Sequence, residues 1–283
     1  MSVNRREFIQ MLAFAAAAGL PLASRRALAH GDGSAFYDLP RFGNVSLLHM
    51  TDSHAQLTPV YYREPQYNIG IGGMTGQPPH LVGEAFLKHY GMQAGTRDAH
   101  ALTYLDYAAA ARQYGKVGGY AHLATLVKRL RAERPGALLL DGGDTWQGSG
   151  LSLWTQGQDM VDAQVELGVD VMTGHWEFTY GEKRVKALVD GPLKQGKVDF
   201  VAHNVATTDF GDQVFPNYSM REVNGVQVAV IGQAFPYTPI AHPRRFVADW
   251  SCGIQDDHLQ QVVDEVRRQG AQGVGLRSHN GME

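Results

Sequence analysis

The sequence is poor in cysteine, because its 283 residues include only one, Cys252. A single thiol excludes a disulfide within the chain, and it excludes a zinc site built from cysteines alone. The 12 histidines and 33 glycines are more informative. Glycine-rich loops that carry scattered His and Asp residues form many α/β metal sites.

An excess of charge of one sign is also missing. The net charge of −3 and the pI near 6.4 give no sign of binding to nucleic acid or to an anionic membrane surface. With 44% hydrophobic and 19% charged residues, the composition is that of an ordinary globular protein. A chain of this length can bury a core in one large domain or two small ones.

The apolar run at the N-terminus, Met11–Ala23, is too short to span a bilayer. It follows a short basic segment, Met1–Arg6, and it precedes Ala27-Leu28-Ala29, a small-residue cleavage signal. The pattern predicts a signal peptide over residues 1–29, a mature chain from His30 and no stable membrane insertion after cleavage.

The basic segment also predicts the export route. Arg5-Arg6 followed by Phe8 resembles a twin-arginine signal, which predicts a periplasmic protein exported in its folded state. Manganese stands low in the affinity order of divalent metals, so a manganese site that is filled outside the cytoplasm would lose to zinc or copper. Folding before export allows the metal to be inserted in the cytoplasm and avoids that competition, which favours manganese. The alternatives are a plain secretory signal and a weak membrane anchor.

Strands alternate with helices after the signal, which predicts an α/β sandwich formed by residues 30–283. The predicted strands are 45–50, 137–140, 169–172, 200–202, 226–232 and 273–277. The predicted helices are 118–134, 159–167 and 256–269. Residues 59–114 are rich in Gly, Pro, Tyr and His, and they are predicted to form a long insertion packed over the site.

Five candidate metal ligands each follow a predicted strand. Ligands of an α/β sheet bind at the carboxyl ends of its strands. Each residue alone has an ordinary explanation, as a helix cap or as a hydrogen-bonded polar side chain. Together, two Asp and three His predict a pair of divalent metals of the Mn, Fe or Zn kind, which can share a carboxylate and make hydroxide at neutral pH. The five residues are Asp52, His54, Asp144, His175 and His279.

The motifs that carry these residues resemble the calcineurin-like metallophosphoesterases, in the 5′-nucleotidase branch. They are D-S-H, G-G-D-T-W-Q-G, G-H-W-E-F and S-H-N-G. In that branch the third motif is G-N-H-E-F-D, whose Asn binds metal and whose His protonates the leaving alkoxide. Here His175 replaces the Asn and Trp176 replaces the catalytic His. With this departure, and with G-K-V-G-G-Y and V-I-G-Q-A-F-P-Y, the chain resembles the SoxB thiosulfohydrolases of periplasmic sulfur oxidation.

This resemblance implies a calcineurin-like α/β/β/α sandwich and a reaction. SoxB enzymes hydrolyse the sulfane-sulfonate group on the cysteine of the carrier protein SoxYZ and release sulfate, with a hydroxide held by two metals as the nucleophile. The metals are expected to be manganese. Asp52 and His54 would hold one metal, His175 and His279 the other, and Asp144 would bridge them.

The resemblance also implies roles for neighbouring residues. Asp144 and His175 would be catalytic together with Trp176, whose ring would form an apolar wall beside the sulfur or a contact for the carrier; plain packing is the alternative. Glu177 is expected to orient its loop, and Asp141 to bond the backbone of its turn. His203 is a weaker candidate for the site, His49 is expected to be structural, and Tyr237 and Pro239 are expected to support the site.

The chain departs from the family near Glu283. SoxB proteins continue into a G-H-T-H segment with two further ligands and into a second domain, so the sandwich is expected to be C-terminally incomplete and without the substrate domain. Gly275 and Arg277 stand where the family has bulky apolar residues, and an unpaired arginine in the core would cost several kcal/mol. Two alternatives stay open: a 5′-nucleotidase-like phosphoesterase, and a non-catalytic remnant that binds the carrier.

Overall fold

The structure is a computed structural model that describes residues 43–61 and 70–280. The predicted signal segment, residues 1–29, lies outside the described residues. Within the described part of the chain, every helix is too short or too polar to cross a membrane. The described residues divide into two compact units, one formed by residues 43–58 and 118–280 and the other by residues 59–61 and 70–117.

The first sheet of the larger unit is parallel, with its strands in chain order. Its strands are β1 (Leu47–Met50), β2 (Leu138–Asp141), β3 (Val171–Met172) and β4 (Asp199–Phe200). The last residues of these strands lie opposite one another, with Met50 beside Asp141 and Met172 beside both Asp141 and Phe200. The loops that follow the strands therefore start from one edge of the sheet.

The second sheet joins two consecutive strands to a third that lies further along the chain. Its central strand is antiparallel to one neighbour and parallel to the other. The described strands outside the first sheet are β5 (Ala206–Thr207), β6 (Tyr218–Val223), β7 (Val226–Gln233), β8 (Trp250–Ser251) and β9 (Gly273–Ser278). The second sheet has the order β6-β7-β9, and β5 pairs with β8 in a separate ribbon. Gln233 lies opposite Ser278, so β7 and β9 end together.

Alternation of side chains along the strands produces four layers. Leu138 and Leu140 pack with Val228 and Val230 between the two sheets. Leu139 points the other way, into the core beneath the helices of the first sheet. Ala229 packs on the far side of the second sheet, against the last helix. This arrangement confirms the predicted α/β/β/α sandwich.

The three predicted helices are confirmed within two residues at each end, as Tyr120–Glu133, Gln158–Leu167 and Asp256–Arg268. The other α-helices of the larger unit had not been predicted. In the larger unit the described α-helices are α4 (Tyr120–Glu133), α5 (Gly150–Thr155), α6 (Gln158–Leu167), α7 (Glu182–Leu188), α8 (Thr238–Ala241) and α9 (Asp256–Arg268). The predicted strand 200–202 is shifted to Asp199–Phe200, because the amide of Ala202 donates to the carbonyl of Pro216.

The smaller unit contains most of the predicted insertion 59–114. Its helices are α1 (Gly83–Tyr90), α2 (Arg97–Leu102) and α3 (Tyr107–Tyr114). Leu87, Met92 and Ala99 form a small core of their own. The prediction that this segment packs over the site stays a prediction.

Candidate metal centre

The loops that follow β1 and β2 run side by side and are joined by backbone hydrogen bonds. The amide of Asp52 donates to the carbonyl of Gly143 at 3.0 Å, and the amide of His54 donates to the carbonyl of Asp144 at 3.0 Å. These bonds fix the two loops in register, so three of the predicted ligands are held next to one another by the main chain.

The same three residues have an unusual backbone conformation. Asp52, His54 and Asp144 have φ values of 54°, 47° and 58°. This left-handed region is uncommon for residues other than glycine, and each such residue costs on the order of 1–3 kcal/mol. Strain of this kind persists where the surrounding structure fixes it, and it clusters at functional sites.

Glu177 provides the strongest such constraint. Its fully buried carboxylate accepts hydrogen bonds from four backbone amides. The donors are Asp144 at 3.1 Å, Thr145 at 2.7 Å, Trp146 at 3.2 Å and His175 at 2.6 Å. Glu177 therefore ties the loop after β2 to the loop after β3, which confirms that it orients the loop.

Asp144 lies at the centre of the candidate ligands. Its Oδ2 is 2.8 Å from Nδ1 of His175 and 3.4 Å from Nε2 of His54. Its Oδ1 is buried and has no hydrogen-bond partner among the described residues. A buried carboxylate oxygen without a partner is costly, and a cation held between Asp144 and its histidine neighbours would satisfy it.

His279 reaches this centre from the end of β9, in the second sheet. Its Nδ1 donates to the carbonyl of Gly142 at 2.7 Å, which leaves Nε2 as the nitrogen with a free lone pair. That nitrogen is 3.5 Å from Oδ1 of Asp52, and the ring stacks on His175 with 4.2 Å between centroids. A backbone carbonyl on the second nitrogen is the usual way to orient a metal-binding histidine.

The five predicted ligands form two groups that share Asp144. In each group the ligand atoms lie within 4.8 Å of one another, as a bound ion requires. One group is Asp144, His175 and His279; the other is Asp52, His54 and Asp144. The donor set of carboxylates and imidazoles, with the unpaired Asp144 oxygen, fits divalent metals. The role of each ligand stays a prediction.

Trp176 lies beside this centre and belongs to neither ligand group. Its half-buried ring contacts His175 edge-on, with 5.4 Å between centroids, and it packs on His242 at 4.5 Å. His242 is buried, and neither of its ring nitrogens has a hydrogen-bond partner among the described residues. Burial, aided by the nearby His175, lowers the pKa of His242, although Thr238 and Asp144 act in the opposite sense.

Asp141 lies under the centre without joining it. Its carboxylate accepts bonds from the amide of Gly143 and from the side chains of Thr145 and Gln164, as the turn predicted. The pKa of Asp141 is raised to about 7, chiefly because the carboxyl group is completely buried and secondly because Glu177 is negatively charged.

The other predicted residues stand further away. Nε2 of His203 bonds the side chain of Gln233, and Gln233 donates to Asn280, the residue after the candidate ligand His279. His203 is thus linked to that segment through Gln233, and it is outside both ligand groups. His49 lies within β1. Tyr237 is 40% exposed, and its ring contacts Phe235.

Two residues near the centre were missed in the sequence. The ring of Phe235 lies edge-on against His175, with 4.2 Å between centroids, and its amide donates to the carbonyl of Gly174. His242 packs on Trp176. Both belong to the segment after β7, where no ligand-like spacing marks them; only the His-Pro pair at residues 242–243 hinted at a turn.

No protein-family model matches the chain. Among solved structures, it is similar to the sulfate thiohydrolase SoxB of Thermus thermophilus, with 41% identity and a TM-score of 0.74 over 87% of this chain and 45% of that one. It is also similar to the calcineurin-like phosphoesterase YfkN of Bacillus subtilis, with 19% identity and a TM-score of 0.58 over 84% of this chain and 63% of that one. The second likeness shows the fold alone.

Among curated proteins, the chain is similar to 5′-nucleotidases. It is 29% identical to the rat enzyme over 175 residues, which are 59% of this chain and 29% of that protein. It is 30% identical to the venom 5′-nucleotidase of Gloydius brevicauda over 129 residues, which are 44% of this chain and 21% of that protein. The chain therefore spans less than a third of the length of these curated relatives.

Proposed function

Because the chain belongs to the metallophosphoesterase superfamily that includes SoxB and the 5′-nucleotidases, we propose that it carries the metal centre of a SoxB-type thiosulfohydrolase. By family it is a metal-dependent hydrolase. The proposed substrate is the sulfane-sulfonate group on the cysteine of a SoxYZ-type sulfur carrier protein. The proposed setting is the periplasm, reached by the twin-arginine route.

The arrangement of the ligand side chains supports metal-dependent hydrolysis. Asp144 offers a buried oxygen without a partner among the described residues, and His279 presents Nε2 because its Nδ1 is bonded to the Gly142 carbonyl. When bound, two divalent ions would activate water and offset negative charge in the transition state. We propose manganese as the metal, held by Asp52, His54, Asp144, His175 and His279.

The observation that carries the choice of substrate is the residue at position 176. The 5′-nucleotidase motif has a proton donor there, whereas this chain places the indole of Trp176 against His175 and His242. An alkoxide leaving group has a high pKa and benefits from a general acid. A persulfide leaving group is stable as an anion near neutral pH and has no such need.

The reaction then balances without a side-chain acid. The oxygen of water attacks the sulfonate sulfur, a sulfur–oxygen bond forms, and the sulfur–sulfur bond breaks. The electron pair leaves with the carrier persulfide, and sulfate and protons are released to solvent. The ring of Trp176 would line the path of the leaving sulfur and keep bulk water from it.

The test compares two reactions in the same preparation. The chain is loaded with manganese, and sulfate release from a carrier bearing the sulfane-sulfonate group is measured beside phosphate release from AMP. We expect sulfate release and little phosphate release. Phosphate release without sulfate release would replace the proposal with a 5′-nucleotidase activity. The absence of both, together with binding of the carrier in a pull-down, would favour the non-catalytic alternative.

Two variants of one residue test the role of Trp176. Trp176→Phe keeps an apolar ring, and we expect it to retain most of the sulfate release. Trp176→His restores the residue type of the 5′-nucleotidase motif, and we expect it to lower sulfate release and to raise phosphate release. A Trp176→His variant that changes neither rate would show that this residue has no part in the choice of substrate.

A further inference from the structure

Gln233, the last residue of β7, bonds the segment of the candidate ligand His279 in two ways. Its backbone carbonyl accepts a hydrogen bond from the amide of His279 at 3.2 Å. Its side-chain Nε2 donates to Oδ1 of Asn280 at 2.7 Å. His279 comes directly after Ser278, the last residue of β9. These two bonds therefore hold the backbone of the ligand just beyond the end of its strand.

The oxygen of the same Gln233 side chain faces His203, three residues after the end of β4 in the first sheet. Nε2 of His203 is 3.1 Å from Oε1 of Gln233. His203 is fully buried, and Gln233 is nearly so. An amide oxygen can only accept a hydrogen bond, so Nε2 of His203 carries the hydrogen. With its oxygen bonded to His203, the Gln233 amide presents its NH₂ group to Asn280.

His258, on α9, fixes the tautomer of His203. Its Nδ1 is 3.4 Å from Nδ1 of His203, and the two ring centroids are 5.5 Å apart. The pKa of His203 is lowered chiefly by burial and further by His258, although Gln233 acts in the opposite sense. A neutral imidazole has one donor and one acceptor, so Nδ1 of His203 accepts from His258. Donation therefore runs in one direction, from His258 through His203 to Gln233, and such bonds polarise one another.

The backbone of His203 is held separately from its side chain. Its amide donates to the carbonyl of Gly232 at 2.8 Å. The side chain of the next residue, Asn204, accepts from the amide of Ala234 at 2.9 Å and donates to its carbonyl at 2.8 Å. These bonds tie the segment after β4 to the end of β7 on both sides of Gln233. The His203 ring is therefore presented to Gln233 from a fixed support.

We propose that His203 is a positioning residue of the metal centre, which acts on His279 through the side chains of Gln233 and Asn280. The inference rests on the metal binding in the proposed function, and it adds a residue that lies outside both ligand groups. The Gly142 carbonyl orients the ring of His279, whereas the bonds from Gln233 hold its backbone. A metal binds most tightly when both are fixed before it arrives, because no ordering of the ligand is then left to oppose binding.

The experiment measures the affinity of the metal-free chain for Mn²⁺ by calorimetry, well below the unfolding temperature and without any substrate. His203→Phe keeps a buried ring and removes the donor to Gln233. Residues that hydrogen-bond the ligands of a metal typically contribute 10–100-fold to its affinity, and His203 stands further out, so we expect a loss of about tenfold. His203→Gln is the matched variant, because its amide nitrogen can take the place of Nε2, and it should keep most of the affinity.

A double-mutant cycle separates positioning from packing. Asn280→Ala removes the acceptor at the far end of the Gln233 side chain, and it should weaken Mn²⁺ binding as much as His203→Phe does. The double variant should lose little more than either single variant, since both changes break one chain of bonds. His122→Phe, the same change at an exposed position of α4, should leave the affinity unchanged.

Several results would overturn the inference alone. They are unchanged Mn²⁺ affinity in His203→Phe despite a lower melting temperature, equal losses in the Phe and Gln variants, and additive losses in the double variant. If His203→Phe does not fold, Asn280→Ala decides, and an unchanged affinity in that variant would refute the inference. The absence of any Mn²⁺ binding by the unaltered chain would instead overturn the metal centre of the proposed function, and this inference with it.

Discussion

Replacement of Glu177 by glutamine tests what holds the candidate ligands together. The two carboxylate oxygens each accept two backbone bonds, Oε1 from Thr145 and Trp146 and Oε2 from Asp144 and His175. Glutamine has nearly the same shape and keeps one of these oxygens. The other becomes an NH₂ group, which points its hydrogens at two amide donors.

The expected loss follows from the two bonds that glutamine cannot accept. A hydrogen bond to a charged group contributes about 1.5–3 kcal/mol net, and a buried donor without a partner costs a similar amount. Two such bonds give a loss of about 3–6 kcal/mol in the free energy of unfolding. For a chain of this size, about 4 kcal/mol lowers the melting temperature by roughly 8–16 °C.

The assay is thermal unfolding of the metal-free chain by circular dichroism. Glu166→Gln is the matched control, because it makes the same chemical change at an exposed position of α6 and should change stability by less than about 0.5 kcal/mol. If Glu177→Gln melts within about two degrees of Glu166→Gln, the two bonds that glutamine cannot accept do not stabilise the fold. Weaker Mn²⁺ binding by Glu177→Gln should accompany the loss of stability.

Two further predictions concern the sheets and the buried carboxyl group under the site. Gly232→Ala should lower the free energy of unfolding by about 3 kcal/mol or more, because a Cβ there would collide with the carbonyl of Val201. Gly275→Ala, on the paired strand, is the control: its Cβ would point into open space, so the variant should be nearly neutral in urea unfolding. Equal effects of the two alanines would contradict the packing of β7 on Val201. The raised pKa of Asp141, about 7, means that the folded chain keeps a proton which the unfolded chain loses near pH 4, so metal-free stability should fall as pH rises from about 4 to about 7. Asp141→Asn should flatten that slope between about pH 4 and about pH 7, and an unchanged slope would assign it to other groups.

The strand ends could be predicted because the sequence marks them locally. Apolar runs such as 137–140 stop at polar residues, and the structure ends β2 at Asp141, one residue later. The candidate ligands after these strands were therefore chosen from the order of residue types along the chain. The role of Asp141 was also predictable, since a carboxylate within a glycine-rich turn has backbone amides within reach. The role of Glu177 came from the family resemblance alone, because the donors Asp144, Thr145 and Trp146 are 33, 32 and 31 positions away in the chain.

What the sequence did not predict depends on pairing between distant segments. No local sequence signal indicates that β9 pairs with β7. This pairing places the ring centroid of His279 at 4.2 Å from that of His175. The packing of His242 on Trp176 has the same origin, because the two residues come from loops of different sheets. Arg277 was expected to lack a partner for this reason too: its acceptor, the carbonyl of Met50, is 227 positions away in the chain.

The backbone conformation of the ligand loops links stability to metal binding. Asp52, His54 and Asp144 hold left-handed conformations that cost on the order of 1–3 kcal/mol each, and the bonds between the loops and to Glu177 offset this cost. A metal that binds the folded loops and not the unfolded chain adds about 2.7 kcal/mol to the free energy of unfolding when its free concentration is 100 times its dissociation constant. This gain is close to the strain of one or two such residues. A change that lets the loops relax should therefore lower stability and metal affinity together, whereas loss of the exposed Asp52 carboxylate should lower affinity and leave metal-free stability almost unchanged.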